Sequence, residues 1–312
     1  MGNCVSSFKI SSCKTILFAL FLAAAVFFQP QLAAFINFPE VVGQFSYSLA
    51  MSAGMACIML GGGFDFSVGG QMALTVMVFN ICMDWSGNTL LAVSLSLAAG
   101  LACGALNGTA VAALKIPSYI ATLATQLIFQ GIVETDAVHY DRLAYGTYGG
   151  MLPLWTNMVF ILILVLAVDV VLTRTYFGRY VRAMGEDEGT LANMGVRVRW
   201  VKMACYLLGG GLFAVAAITS RWNQDMKYSA GNFSLTAEAM LVFYFSGISR
   251  RRAGLKCFEV FPRLLAGTFV LEVLKNLMNL WGLEAMTADI LIGSLLLAAF
   301  AVIGFGKRKR IC

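Results

Sequence analysis

Between Lys14 and Lys115 the chain has no basic residue, and its only acids there are Glu40, Asp65 and Asp84. A stretch so poor in charge does not fold as a soluble domain, which carries about 25% charged residues. Over all 312 residues only 12% are Asp, Glu, Lys or Arg, against 59% hydrophobic. That composition excludes a soluble enzyme. It also excludes a nucleic-acid binder, because the net charge of +6 is not gathered on one surface segment. A bilayer core of about 30 Å is crossed by roughly 20 apolar residues in a helix. The apolar runs predict an all-α, polytopic integral membrane protein with about ten transmembrane helices. They fall at 15–36, 41–60, 66–84, 89–114, 117–133, 154–173, 203–220, 235–249, 258–280 and 285–305. Residues 1–312 read as one transmembrane domain without a separate soluble part.

The basic residues set the orientation, since they collect on the cytoplasmic side. Ten spans with the N-terminus inside place 17 of the 22 Lys and Arg inside and three outside. The outside three are Arg142, Arg221 and Lys227; Arg263 and Lys275 fall within the ninth span. Both termini are therefore expected in the cytoplasm. Two connections are long: an outer one at 134–153, and a charge-rich inner one at 174–202 that exceeds what a connector needs. The segment 1–6 fits an N-myristoylation pattern. Residues 9–28 fit either a signal peptide or, since the apolar pattern resumes past Pro30, an uncleaved first span. The eight cysteines show no metal-ligand spacing, so they read as small apolar side chains and reduced thiols.

Within the apolar runs a few polar residues stand out. Residues 61–70 read GGGFDFSVGG, too rich in glycine to continue a membrane helix. Asp65 at its centre either caps the next helix or belongs to a broken helix at a transport gate. Gly100, Gly104 and Gly108 recur every four residues, the spacing that lets helix backbones pack closely; Asn107 lies beside them. Thr122, Gln126 and Gln130 form a polar stripe that must face protein or water. The alternatives are helix–helix hydrogen bonding and a hydrophilic path. Glu272, Lys275, Asn276 and Asn279 form a second polar face. Glu134, Asp136, His139 and Asp141 surround the only histidine, in a spacing that matches no metal loop. No metal or cofactor site is expected. The phosphate-loop pattern is absent, so any ATP would be hydrolysed by another chain, and nothing forms a catalytic triad.

Three stretches, in matching order, resemble the permease subunits of bacterial ATP-binding-cassette importers for monosaccharides of the ribose, xylose and galactose type. They are GGFDFSVG at 62–69, LNGTAVAALKIPSYIATLAT at 106–125 and TRTYFGRYVRAMGEDEGTLANMGVRVRWVK at 173–202; a weaker fourth is NLMNLWG at 276–282. The resemblance implies a non-enzymatic, multi-pass permease of the bacterial inner membrane. It implies three kinds of partner besides the lipid bilayer: an ATPase subunit, a second permease chain and an extracytoplasmic solute-binding protein. The third stretch resembles the family's coupling loop, whose short helix docks on the ATPase. Gly185, Glu186, Asp187, Glu188, Ala192 and Gly195 are its candidate contacts. Asp65, Asn107, Thr122, Gln126, Gln130, Asn276 and Asn279 are the candidate translocation-pathway or gate residues.

Two stretches depart from the pattern. In the coupling loop the family's GGNEEA reads GEDEGT at 185–190. Where the family shows GGTSLSGGRG, this chain reads YFSGISRRRAG from Tyr244 onward, and both glycine pairs are gone. The alternatives to a monosaccharide permease are a related importer for branched-chain amino acids or nucleosides, and an ion-coupled secondary transporter built on Asp65 or Glu272. An intramembrane enzyme built on the Glu134–Asp141 cluster is a more distant one.

Overall fold

The computed structural model describes residues 38–140, 153–223, 233–248, 259–280, 287 and 289–298. Among them are helices α1 (Phe38–Leu60), α2 (Val68–Ser86), α3 (Thr89–Ala112), α4 (Ser118–Tyr140) and α5 (Leu154–Arg174). The inner connection forms two short helices, α6 (Tyr176–Glu186) and α7 (Glu188–Asn193). Then come α8 (Val198–Asn223), α9 (Phe233–Phe245), α10 (Val260–Leu280) and a short apolar helix at Asp289–Ala298. No strand occurs among the described residues. The expected first span, the N-terminal lipidation pattern, most of the outer connection and the basic tail lie outside them.

Four of these helices, α1, α3, α5 and α8, are long and apolar enough to cross a membrane. The 24 residues of α3 reach about 36 Å at 1.5 Å per residue. Helices α2, α4 and α10 are of similar length but carry buried polar side chains such as Gln71, Gln126 and Glu272. Helix α1 is the interior element, with 83% of its apolar stretch buried, whereas α3 and α5 bury only 28%. Their outer faces expose Leu90, Leu101, Leu106, Phe160 and Ile163. Such faces suit lipid, where an apolar side chain has nothing to gain from burial in protein.

The glycine stripe of α3 meets α8 backbone to backbone. A Cβ added at Gly104 would lie 2.4 Å from the Tyr206 carbonyl oxygen, and one at Gly210 would lie 2.5 Å from that of Gly100. Only glycine permits this approach, so the expected close packing is present. Helix α4 continues through Tyr140, past the sequence expectation of 133, because no glycine or proline interrupts it there. Glu134 therefore lies on the helix and accepts from Gln130 Nε2 at 2.9 Å. The side chains of His139 and Asp141 are outside the described set. At the other end of the bundle, Asp169 of α5 accepts the Val260 N–H at 3.0 Å, capping α10 with a side chain from a neighbouring helix.

Candidate functional site

The glycine-rich segment interrupts the chain between α1 and α2. Gly62 turns it with φ +88, a left-handed conformation that favours glycine. The freed backbone groups need partners, since unsatisfied ones inside a membrane cost several kcal/mol. The polar stripe of α4 supplies them. The Phe64 N–H donates to Ser118 Oγ at 3.3 Å, the Phe66 N–H to Thr122 Oγ1 at 3.0 Å, and the Gly70 N–H to Gln126 Oε1 at 2.8 Å. Carbonyls are served from two other helices: Tyr206 of α8 donates to Phe64 O at 2.9 Å, and Thr236 of α9 to Phe66 O at 3.3 Å.

Asp65 is buried at the centre. Its Oδ1 accepts the Ser67 N–H at 2.8 Å and the Ser67 hydroxyl at 2.6 Å, closing a turn across the break. Its Oδ2 accepts from Gln71 Nε2 at 3.1 Å and, more weakly, from Asn107 Nδ2 at 3.4 Å. Asn107 also donates to Ser67 Oγ at 2.7 Å and accepts from Thr125 Oγ1 at 2.7 Å. So Asp65, Asn107, Thr122 and Gln126 come together in one network around the glycine-rich segment. Ser67 occupies the N-cap position of α2 and its own side chain makes no capping bond; the backbone N–H of that residue is instead taken by Asp65. Two polar atoms stay unpartnered inside the network, Gln71 Oε1 and Gln126 Nε2. Gln130 lies apart, on Glu134.

A second polar cluster ties α1, α9 and α10. Lys275 Nζ lies 2.9 Å from Glu238 Oε2, 3.6 Å from Glu272 Oε1 and 3.3 Å from the Tyr47 hydroxyl. Ser48 donates to Glu272 Oε1. The Glu272–Lys275 pair read from the sequence exists, but Glu238 is the nearer partner. Asn276 donates back to the Glu272 carbonyl at 2.8 Å, and Asn279 is exposed. The structure does not bring Asn276 and Asn279 to the Asp65 network.

The inner connection packs under the break. In α6 the buried residues Gly178, Val181 and Met184 form one face. A Cβ on Gly185 would lie 2.0 Å from the Leu60 carbonyl oxygen and 3.4 Å from the Gly62 nitrogen. The end of α6 thus rests on the backbone where α1 stops. Asp187 caps α7, accepting the Gly189 N–H at 2.9 Å and the Thr190 hydroxyl at 2.5 Å. These bonds hold its carboxyl below the ordinary range, the Thr190 hydroxyl contributing most. Glu188 pairs with Lys202 Nζ at 2.8 Å. Gly195 turns the chain after α7 with φ +80. Of the six candidate contacts, Glu186 and Ala192 are exposed without such an internal task.

Sequence reasoning missed Ser118, Tyr206, Thr236 and Glu238. Ser118 stands one helical turn before Thr122, so extending the stripe backwards would have found it. Glu238 is an acid inside an apolar run, and such residues face protein or water. Tyr206 and Thr236 carry no local signal, because the break they serve is distant in the chain.

The family described as "Branched-chain amino acid transport system / permease component" matches residues 37–300. The ribose import permease protein RbsC of Escherichia coli K12 is 29% identical over 279 residues, 85% of each chain. The L-arabinose transport system permease protein AraH of the same strain is 28% identical over 296 residues, 91% of this chain and 87% of its own. RbsC of Bacillus subtilis 168 is 26% identical over 275 residues, 85% and 83% of the two chains. No solved structure shows a significant match. Since the family match spans every described helix, the chain belongs to the family of branched-chain amino acid transport system permease components.

Proposed function

We propose that this permease is the membrane-spanning subunit of an ATP-binding-cassette importer for a monosaccharide. The observation that carries the reading is that relatives named for ribose and L-arabinose align over 85% and 91% of the chain. The residues of the break and of the inner connection fall in these aligned proteins' span and pack on each other. In this reading two permease chains frame the path, a partner ATPase hydrolyses ATP, and a soluble binding protein delivers the solute outside. The membrane is the bacterial inner membrane, crossed about ten times, with both termini in the cytoplasm. The split of 17 inner to three outer basic residues supports that topology.

Residues take distinct roles. Glu186 and Ala192 meet the ATPase, while Gly185, Asp187, Glu188 and Gly195 shape the helices that present them. Asp65, Asn107, Thr122 and Gln126 hold the break in one arrangement, and the spare polar atoms of Gln71 and Gln126 serve the alternative arrangement or the solute. The test is uptake by cells expressing the chain with its ATPase and binding protein. Labelled D-ribose or L-arabinose should accumulate and L-leucine should not. Accumulation of leucine alone would overturn the sugar assignment.

A further inference from the structure

Beside the contact between α6 and the break lies a cleft of about 660 Å³. Its lining combines Gly61, Gly62 and Gly63, the turn from Lys115 to Ser118, and Met184, Gly185 and Glu188. Arg199 and Lys202 complete it. Three cations and one carboxylate therefore line a space of the size that small ligands or a few side chains occupy. Lys202 is already paired with Glu188 at 2.8 Å. Lys115 and Arg199 are exposed and have no carboxylate partner among the described residues. Lys115 is held in the left-handed region, with φ 57, where non-glycine residues are uncommon. It follows the C-cap of α3 and lines the cleft.

We propose that this cleft receives an acidic segment of the partner ATPase. The inference rests on the permease reading, and adds to it a reciprocal contact: the ATPase reaches into the permease as well as accepting α6 and α7. The complement of two unpaired cations is an anion. An anionic phospholipid surface fits less well, because Glu188 sits in the wall and Glu186 and Asp187 adjoin it in the chain, repelling such a surface. A folded partner can place one acid between these charges and avoid the others. An acid seated there touches both the glycine break and the coupling helices, so its arrival and departure would bear directly on both.

The experiment places a photo-crosslinking benzoylphenylalanine at Ile116, which lines the cleft, and separately at Thr190, exposed on α7. Each full-length variant is co-expressed with the ATPase and irradiated in membranes. Adducts to the ATPase are expected from both positions. K115Q/R199Q in the same background should lower the Ile116 adduct at least tenfold, and K115E/R199E should abolish it, while each variant still elutes as a monodisperse protein. An ATPase adduct from Thr190 with only lipid adducts, or none, from Ile116 would overturn the proposal and leave the permease reading intact. An Ile116 adduct unchanged by K115E/R199E would remove the acidic character of the partner segment. Failure of Thr190 itself to reach the ATPase would overturn the permease reading, and this proposal with it.

Discussion

Asp65 is where the two sequence alternatives, cap and gate, acquire a physical distinction. Its carboxylate braces Ser67, Gln71 and Asn107. Asp65→Ala removes the acceptor of the buried Ser67 N–H and hydroxyl, at about 1–3 kcal/mol for each orphaned donor. The melting temperature of the detergent-purified protein should fall by several degrees, and Asp65→Asn, which keeps one acceptor oxygen, should fall less. An unchanged melting temperature with lost uptake would mean that the network is remade during transport and contributes little to the resting fold. Asp187 offers a pH test outside the membrane. Its folded pKa is depressed by the Thr190 and Gly189 hydrogen bonds, so its capping is complete above the ordinary carboxylate range and is lost as pH falls through the depressed value. Amide exchange in residues 188–193 should accelerate there, and Asp187→Asn should flatten that acid-side change.

At the scale of elements, the α3–α8 crossing sets a sharp contrast between glycines. A Cβ at Gly104 meets backbone at 2.4 Å, whereas at Gly131 of α4 nothing lies within 4 Å. Gly104→Ala should destabilise by about 1–3 kcal/mol or more, as overpacking does, and Gly131→Ala should be close to neutral; thermal unfolding in one detergent compares them. This crossing was legible in the sequence, because small residues every four positions have one common use in membranes. The polar stripe of α4 was legible as a stripe, but not its task. That task depends on the unpaired backbone at Phe64, Phe66 and Gly70, some 55 positions away, and no local pattern encodes such a pairing. The same holds for Glu238, whose partner Lys275 is 37 positions on. The long inner connection was read as carrying a short helix and forms two, since Asp187 both ends α6 and begins α7.

At the scale of the whole molecule, the expected topology places 17 of the 22 basic residues on the inner side and three outside. Glu186 is exposed whereas Glu188 is engaged with Lys202. Glu186→Arg should therefore weaken co-purification of the ATPase without disturbing the fold, and Glu188→Arg should in addition free Lys202. A reporter fused after Lys202 should behave as cytoplasmic and one near Tyr145 as external; an external signal at Lys202 would contradict the ten-span topology. The central claim is that ATP hydrolysis by a partner drives solute through this chain. Its most direct test is uptake of labelled D-ribose into proteoliposomes containing the chain, its ATPase and the binding protein. Accumulation is expected only when both ATP and the binding protein are supplied, and should persist when proton and sodium gradients are collapsed. Accumulation without ATP, abolished by collapsing an ion gradient, would contradict the account.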